Sequence, residues 1–287
     1  MNKQITFNLT SENLFSLIYH HHFEYPLTTL ELIKWQPGKK AKKINIPGNI
    51  NFGYFNGFYF LKGSRATISS KMLRKRNSIK KLQIAKEVTR KLKKIPFIKL
   101  VAVTGSLSMF NAKGDSDIDL MVISRKGMLW TTRLLSLLFL LINGVSLRRW
   151  GDKNEKNKIC INMWIDESNL TWPAKNRNFY TAHEIAQIIP LFDRDKTYQM
   201  FLNKNEWLKE YWPNSIKINK LKKYKKYSKT NILEKTFESI AFSIQKFYMK
   251  NKRTREVIDS KIAIFHPIDR SKEVNSYLER YLLLSYN

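Results

Sequence analysis

The residues best suited to chemistry fall in one stretch, 101–123, with the sequence VAVTGSLSMFNAKGDSDIDLMVI. An apolar strand runs into Gly105-Ser106, a short polar helix and loop follow, and a second strand opens with Asp117 and Asp119. Carboxylates two residues apart on a strand point to one face. Oxygen ligands on one rigid face suit Mg²⁺, which takes one or two carboxylates and completes its shell with water and substrate phosphate. Gly105 and Ser106 stand where strand gives way to helix, and the free backbone N–H groups at such a point favour phosphate. The chemistry expected is metal-assisted phosphoryl or nucleotidyl transfer. Each fragment alone is common: Asp-x-Asp occurs at many strand ends, Gly-Ser marks any tight turn, and Asp115 after Gly114 fits an ordinary loop.

The joint pattern is more specific. Gly105-Ser106, a ten-residue spacer and Asp117-Ile118-Asp119 resemble the signature of the polymerase-beta-like nucleotidyltransferase superfamily. The resemblance implies that the Gly105 backbone and Ser106 hold nucleotide phosphates. It also implies that Asp117 and Asp119 bind Mg²⁺, with two ions possible, and that an NMP group passes from an NTP to an acceptor. Thr104-Gly105-Ser106, Asn111-Ala112, Asp117-Ile118-Asp119, Cys160-Ile161-Asn162 and Thr181-Ala182-His183-Glu184 together look like bacterial proteins described only as containing a nucleotidyltransferase domain. That likeness covers most of residues 50–215.

Such a family usually supplies a third carboxylate from a neighbouring strand. The candidate strand is 158–167, KICINMWIDE. Strict alternation sets Ile159, Ile161, Met163 and Ile165 on one face, and Cys160, Asn162, Trp164 and Asp166 on the other. At the expected register the chain shows Cys160 or Asn162, a departure from the pattern, and only Asp166 brings a carboxylate to that face. Asp166, or a water held by Asn162, is therefore expected to act as general base.

These residues need elements to hold them. Residues 69–95 form a basic amphipathic helix with Ile79, Leu82, Ala85, Val88 and Leu92 at helical spacing, leading into strand 97–103. The apolar run within 128–147 breaks at Asn143-Gly144, short of the roughly 20 residues that span a bilayer. It is expected to cover the sheet, and no transmembrane segment is expected. Residues 180–192 read as a helix capped by Thr181; His183 and Glu184 could reach the cleft from it, but structural roles are expected for both. Upstream, Ser11 is expected to cap a helix, Thr28 and Glu31 form a capping box, and Asn56-Gly57 sits between aromatic strands as a hairpin turn. Two helices and a hairpin resemble a winged-helix module, for which DNA contact is one possible use. His20-His21-His22 splay around a helix, so a polar helix end is expected rather than a metal site.

The fold class expected is α/β (α+β): a small mixed nucleotidyltransferase sheet with helices on one face, a winged-helix-like module before it and a C-terminal helical region after it. The divisions are 1–68 for the module, 69–213 for the nucleotidyltransferase domain, 214–230 for a basic linker and 231–287 for the helical region. Within these 287 residues, 43% hydrophobic content with 17 Phe, 13 Tyr and 7 Trp excludes a wholly disordered chain. The single cysteine, Cys160, excludes an intrachain disulfide framework and a cysteine-rich zinc site. A reducing cytoplasmic compartment is expected, since the N-terminus also lacks a secretory pattern. The net charge of +29, from 52 basic and 23 acidic residues, favours anionic partners, although Lys-, Asn- and Ile-rich usage also follows from AT-rich coding. Lysines and tyrosines interleave over 216–229, which suits either single-stranded nucleic acid or a flexible linker. The acceptor is left open among RNA, a small molecule and a protein. A non-catalytic nucleic-acid-binding or regulatory protein that keeps the fold is the alternative.

Overall fold

The computed structural model describes residues 9–41, 50–149, 151–219, 230–250, 257–265 and 270–283. Most of the basic linker, 220–229, lies outside them. In chain order, α1 (Ser11–His21), α2 (Thr29–Lys34) and the hairpin β1 (Phe52–Phe55) and β2 (Phe58–Leu61) come first, then the long α3 (Thr67–Leu92). The central unit follows: β3 (Ile98–Val103), α4 (Gly105–Ser108), β4 (Ile118–Ser124), α5 (Leu129–Ile142), β5 (Ile159–Asp166), α6 (Phe179–Ala186), β6 (Ile189–Asp193) and α7 (Thr197–Lys204). The C-terminal part holds α8 (Ile232–Met249), β7 (Val257–Asp259), β8 (Ile262–Ile264) and α9 (Arg270–Leu283).

The architecture is mixed α/β. A six-stranded sheet has the order β6-β3-β4-β5-β8-β7, and β1–β2 form a separate hairpin. β4 and β5 are parallel, whereas the other neighbours run antiparallel. Strands buried on both faces read as continuous apolar runs, and β4 is such a run apart from Asp119 and the terminal Ser124. Leu100, Ala102, Met121 and Ile123 enter one core with Phe15, Trp35, Ala182 and Trp212. Val101, Val103, Leu120 and Val122 enter the other with Val88, Leu92, Trp130 and Leu140. Helices therefore cover both faces, where one was expected: α1, α2, α6, α7 and α9 on the first, α3, α5 and α8 on the second. A strand apolar on both sides needs both sides covered.

Local signals set several elements. Thr28 and Glu31 form the expected capping box, while Thr10, one residue before Ser11, caps α1. Asn56 and Gly57 take φ of 50° and 83°, the pair of positive values that a two-residue hairpin turn requires. The expected helix over 180–192 stops at Ala186, is capped by Asn178 rather than Thr181, and gives way to β6. Pro190 lies in β6 without harm because the strand is at the sheet edge. No helix among the described residues is long and apolar enough to cross a membrane.

The N-terminal helices join the main core. His20 is 2% exposed; its Nδ1 donates to the Ser16 carbonyl at 2.8 Å, so its Nε2 accepts from His183 Nε2 at 3.2 Å. Trp35 stacks on His183 with ring centroids 3.8 Å apart. Burial holds both imidazoles neutral, with His20 lowered to about 4. The three consecutive histidines thus end a helix, and the first of them docks α1 onto α6.

Candidate active site

The site grows from the β3–α4 turn and the paired starts of β4 and β5. Gly105 takes φ +61°, and a Cβ there would lie 2.8 Å from Asp119 Oδ2. Only glycine suits both the left-handed backbone and this close approach. Ser106 is exposed beside it. The Gly105 carbonyl accepts from Ser108 Oγ at 2.7 Å and from Gln187 Nε2 at 3.3 Å, which fixes the turn against α6. Just before β4, the buried Lys81 of α3 donates to the Ser116 carbonyl at 2.6 Å and to Asn157 Oδ1 at 2.8 Å. This strap sets the approach of Asp117.

The β4–β5 register decides which side chains meet. Asp119 pairs with Cys160 and Leu120 with Ile161, but Met121 pairs with Met163, so Asn162 is an extra residue in β5. Such a bulge re-aims a side chain. Asn162 Nδ2 accordingly donates to Asp119 Oδ1 at 2.5 Å. The strict alternation expected for this strand fails at that point. Past the bulge, Trp164 joins Ile159 and Ile161 in one core, and Ile165 faces the other.

The structure brings together Gly105, Asp117, Asp119 and Cys160. One ligand atom each from Asp117, Asp119 and Cys160 lie within 4.8 Å of one another. It does not bring Asp166 to them. Asp166 pairs with Ser124 at the other end of the strands, five residues beyond Asp119 or about 17 Å at ~3.3 Å per residue. There it accepts from Gly127 N at 2.6 Å, Ser168 N at 2.8 Å and Ser168 Oγ at 2.6 Å. Those donors make it an anchor for the β4–α5 loop.

Asp117 accepts from Arg148 Nη1 at 2.6 Å, and Arg148 also pairs with Glu155. Burial, then the charges of Asp117 and Glu184, push the Asp119 carboxyl up to about 8, against Arg148 and Arg270. Glu184 of α6 is pushed up to about 7 by burial, opposed by Arg270 and by the Gln187 amide, whose Nε2 donates to it at 2.6 Å. Burial and the two aspartates raise the Cys160 thiol, so it stays protonated. Arg148, Gln187 and Arg270 were not found by sequence reasoning as parts of the site, and Glu184, placed within reach of the cleft, was given a structural role. Arg148 lies just past the apolar run of 128–147, where no spacing ties it to the acidic pair.

No protein-family model matches the chain, and no curated protein matches it. Among solved structures, a chain from "Crystal structure of the toxin-antitoxin with AMP-PNP" is similar at 17% identity and a TM-score of 0.24, covering 42% of this chain and 82% of that one. A likeness at that level carries no argument about function.

Proposed function

We propose that the chain is a nucleotide-binding enzyme that transfers an NMP group from an NTP to an acceptor. The observation that carries this reading is the contact of the left-handed Gly105 turn with the Asp119 carboxylate. A phosphate-binding turn and an acidic pair then share one edge. The donor set fits a hard cation: two carboxylates supply oxygen, and a protonated thiol at Cys160 is a poor ligand. An orphaned buried oxygen, Asn162 Oδ1, lies beside Asp119. Crowding of Asp117, Asp119 and Glu184 is the kind of charge imbalance that a cation relieves.

In this reading Asp117 and Asp119 hold Mg²⁺, and the Gly105 backbone with Ser106 holds phosphate oxygens. Bound Mg²⁺ would neutralise phosphate charge and lower the pKa of a coordinated hydroxyl. Arg148, paired with Asp117 and Glu155 but with its side chain 34% exposed, would exchange a carboxylate for substrate phosphate. Glu184, rather than Asp166, holds or releases a proton near neutral pH and is the general-base candidate. The divisions 1–68, 69–213, 214–230 and 231–287 belong to the same proposal.

The test is transfer from labelled NTPs with Mg²⁺ to cellular RNA, small-molecule and protein fractions. Asp117→Asn should lower the rate by about 100-fold or more, and Glu184→Gln should flatten its dependence on pH between about 6 and 8. Transfer that persists in Asp117→Asn would sink the reading. So would the absence of both transfer and Mg²⁺-dependent NTP binding.

A further inference from the structure

A cavity of about 500 Å³ opens between the N-terminal helices and the central unit. α2, the loop after α4, the α6–β6 corner and α7 all contribute to its wall. It adjoins the site described above without being part of it. Ser108 and Gln187 line it, and both donate to the Gly105 carbonyl, at 2.7 Å and 3.3 Å. The cavity and the proposed phosphate turn thus share a wall.

The lining carries a specific chemistry. Phe110 and Tyr198 present rings, and Lys34 and Lys217 present positive charge, while the Trp35 ring is taken up by His183 on which it stacks and by the Lys34 ammonium 4.7 Å from its centroid. Glu31 also lines the space, but Lys71 meets its carboxylate at 2.7 Å and 2.9 Å, so it adds no net negative charge. Tyr198 spends its hydroxyl on the Ile188 carbonyl at 3.2 Å, leaving its ring as the contact surface. Phe110 holds φ at 55°, a conformation that a bulky residue keeps mainly where the surroundings impose it. Gln199 Nε2 is buried and has no hydrogen-bond partner. A buried donor without an acceptor is uncommon in folded chains; Gln199 lines the cavity with this nitrogen closed off from it, so its amide must turn to meet a ligand.

We propose that this cavity binds a planar heteroaromatic or aromatic group that presents a hydrogen-bond acceptor to Gln199 and negative charge to Lys34 and Lys217. The volume lies within the roughly 300–1,000 Å³ of small-molecule sites, so a folded macromolecule does not enter. Two sources share this chemistry: the nucleoside monophosphate half of a nucleotide, or a separate aromatic acid. The role of the ligand in transfer rests on the nucleotidyltransferase reading, but its binding does not.

The experiment is calorimetric titration of the full chain with AMP, UMP and 4-hydroxybenzoate as probes, without Mg²⁺. At least one probe should bind, and Gln199→Leu and Lys34→Met should each weaken it about tenfold. Gln199→Leu should leave the melting temperature of the unliganded protein unchanged or higher, since it removes an unpaired donor. Asp117→Asn should abolish Mg²⁺-dependent transfer yet keep probe affinity within about twofold, which separates failure of the cavity proposal from failure of the enzyme reading. Binding of a nucleotide assigns the cavity to the nucleotide; binding of 4-hydroxybenzoate alone assigns it to an acceptor. No saturable binding at millimolar probe, or binding indifferent to both cavity variants, overturns the proposal.

Discussion

Asp119 and Asp166 lie on the same pair of strands, at opposite ends, and their surroundings differ in kind. Asp166 is 1% exposed and accepts three hydrogen bonds, from Gly127 N, Ser168 N and Ser168 Oγ. Asp119 accepts one amide bond from Asn162 and faces the negative charge of Asp117 and Glu184. The first carboxylate is matched by its own fold; the second is held at a cost. Incompletely compensated charge in a recess marks a site that awaits another charge. Exposure follows the same division, since Asp166 is buried and Asp119 half-buried.

The sharpest way to break this comparison is to delete each acid. Asp166→Ala leaves the N–H groups of Gly127 and Ser168 without their acceptor and should cost about 3 kcal/mol of stability. Asp119→Ala removes a crowded charge and should cost less than about 1 kcal/mol while ending nucleotide transfer. Urea unfolding of both variants measures the difference. Equal destabilisation, or loss of transfer in a stable Asp166→Asn protein, would reverse the assignment of anchor and site.

Gly105→Ala comes next. A side chain at φ +61° is strained, and its Cβ would stand 2.8 Å from Asp119 Oδ2; the expected cost is about 2 kcal/mol. Removing the opposing carboxylate should recover part of it. The double variant Gly105→Ala/Asp119→Ala should therefore be more stable than the sum of the single effects predicts, by about 0.5–1 kcal/mol. Strict additivity would show that the turn and the carboxylate do not press on each other.

The sequence made this edge legible because its signals are local. Gly105, Asp117 and Asp119 are fixed by a strand, a turn and a second strand close in the chain, and the Thr28–Glu31 box and Asn56-Gly57 turn are equally local. The mixed α/β class followed from the same periodicities. Asp166 was misjudged because sharing a face is not sharing an end: six residues past Cys160, it pairs with Ser124 far along the strands from Asp119, and the bulge at Asn162, which exists only relative to β4, was equally invisible in the alternation. β6 was hidden inside an apolar run that also suits a helix, and β7 and β8 are only three residues each. Glu184, Arg148 and Arg270 reach the site through helix and loop packing across long sequence separations, for which one sequence holds no periodic signal.

A smaller effect tests the charge imbalance itself. The Asp119 carboxyl moves from an ordinary 3.8 to about 8 in the folded chain. A raised carboxyl favours folding while it is protonated, so its contribution is complete below the unfolded value and is lost as pH rises through the folded one. Without Mg²⁺, the stability of the native chain should therefore fall relative to Asp119→Asn between about pH 4 and 8, by about 1 kcal/mol or more. Adding Mg²⁺ at pH 8 should close the gap by stabilising only the native chain. Parallel stability curves for the two proteins would deny that Asp119 is held at a cost.

The least disruptive change sharpens the comparison from the other side. Cys160 stands opposite Asp119 in register, with its sulfur within 4.8 Å of a ligand atom from each aspartate. Cys160→Asp would place a third oxygen ligand where a thiol now stands. Without metal it should lower the melting temperature, because a fourth carboxylate adds to the repulsion among Asp117, Asp119 and Glu184. With Mg²⁺ it should gain more stabilisation than the native chain, an added shift of about 2–4 °C in a thermal melt. Cys160→Ser separates charge from geometry: it offers oxygen without a full charge and should show neither the loss nor the gain. If Cys160→Asp responds to Mg²⁺ no more than Cys160→Ser, the two aspartates and the β5 position do not converge on one cation. The acidic edge would then resemble the opposite end of the sheet, where the fold already answers its own charge.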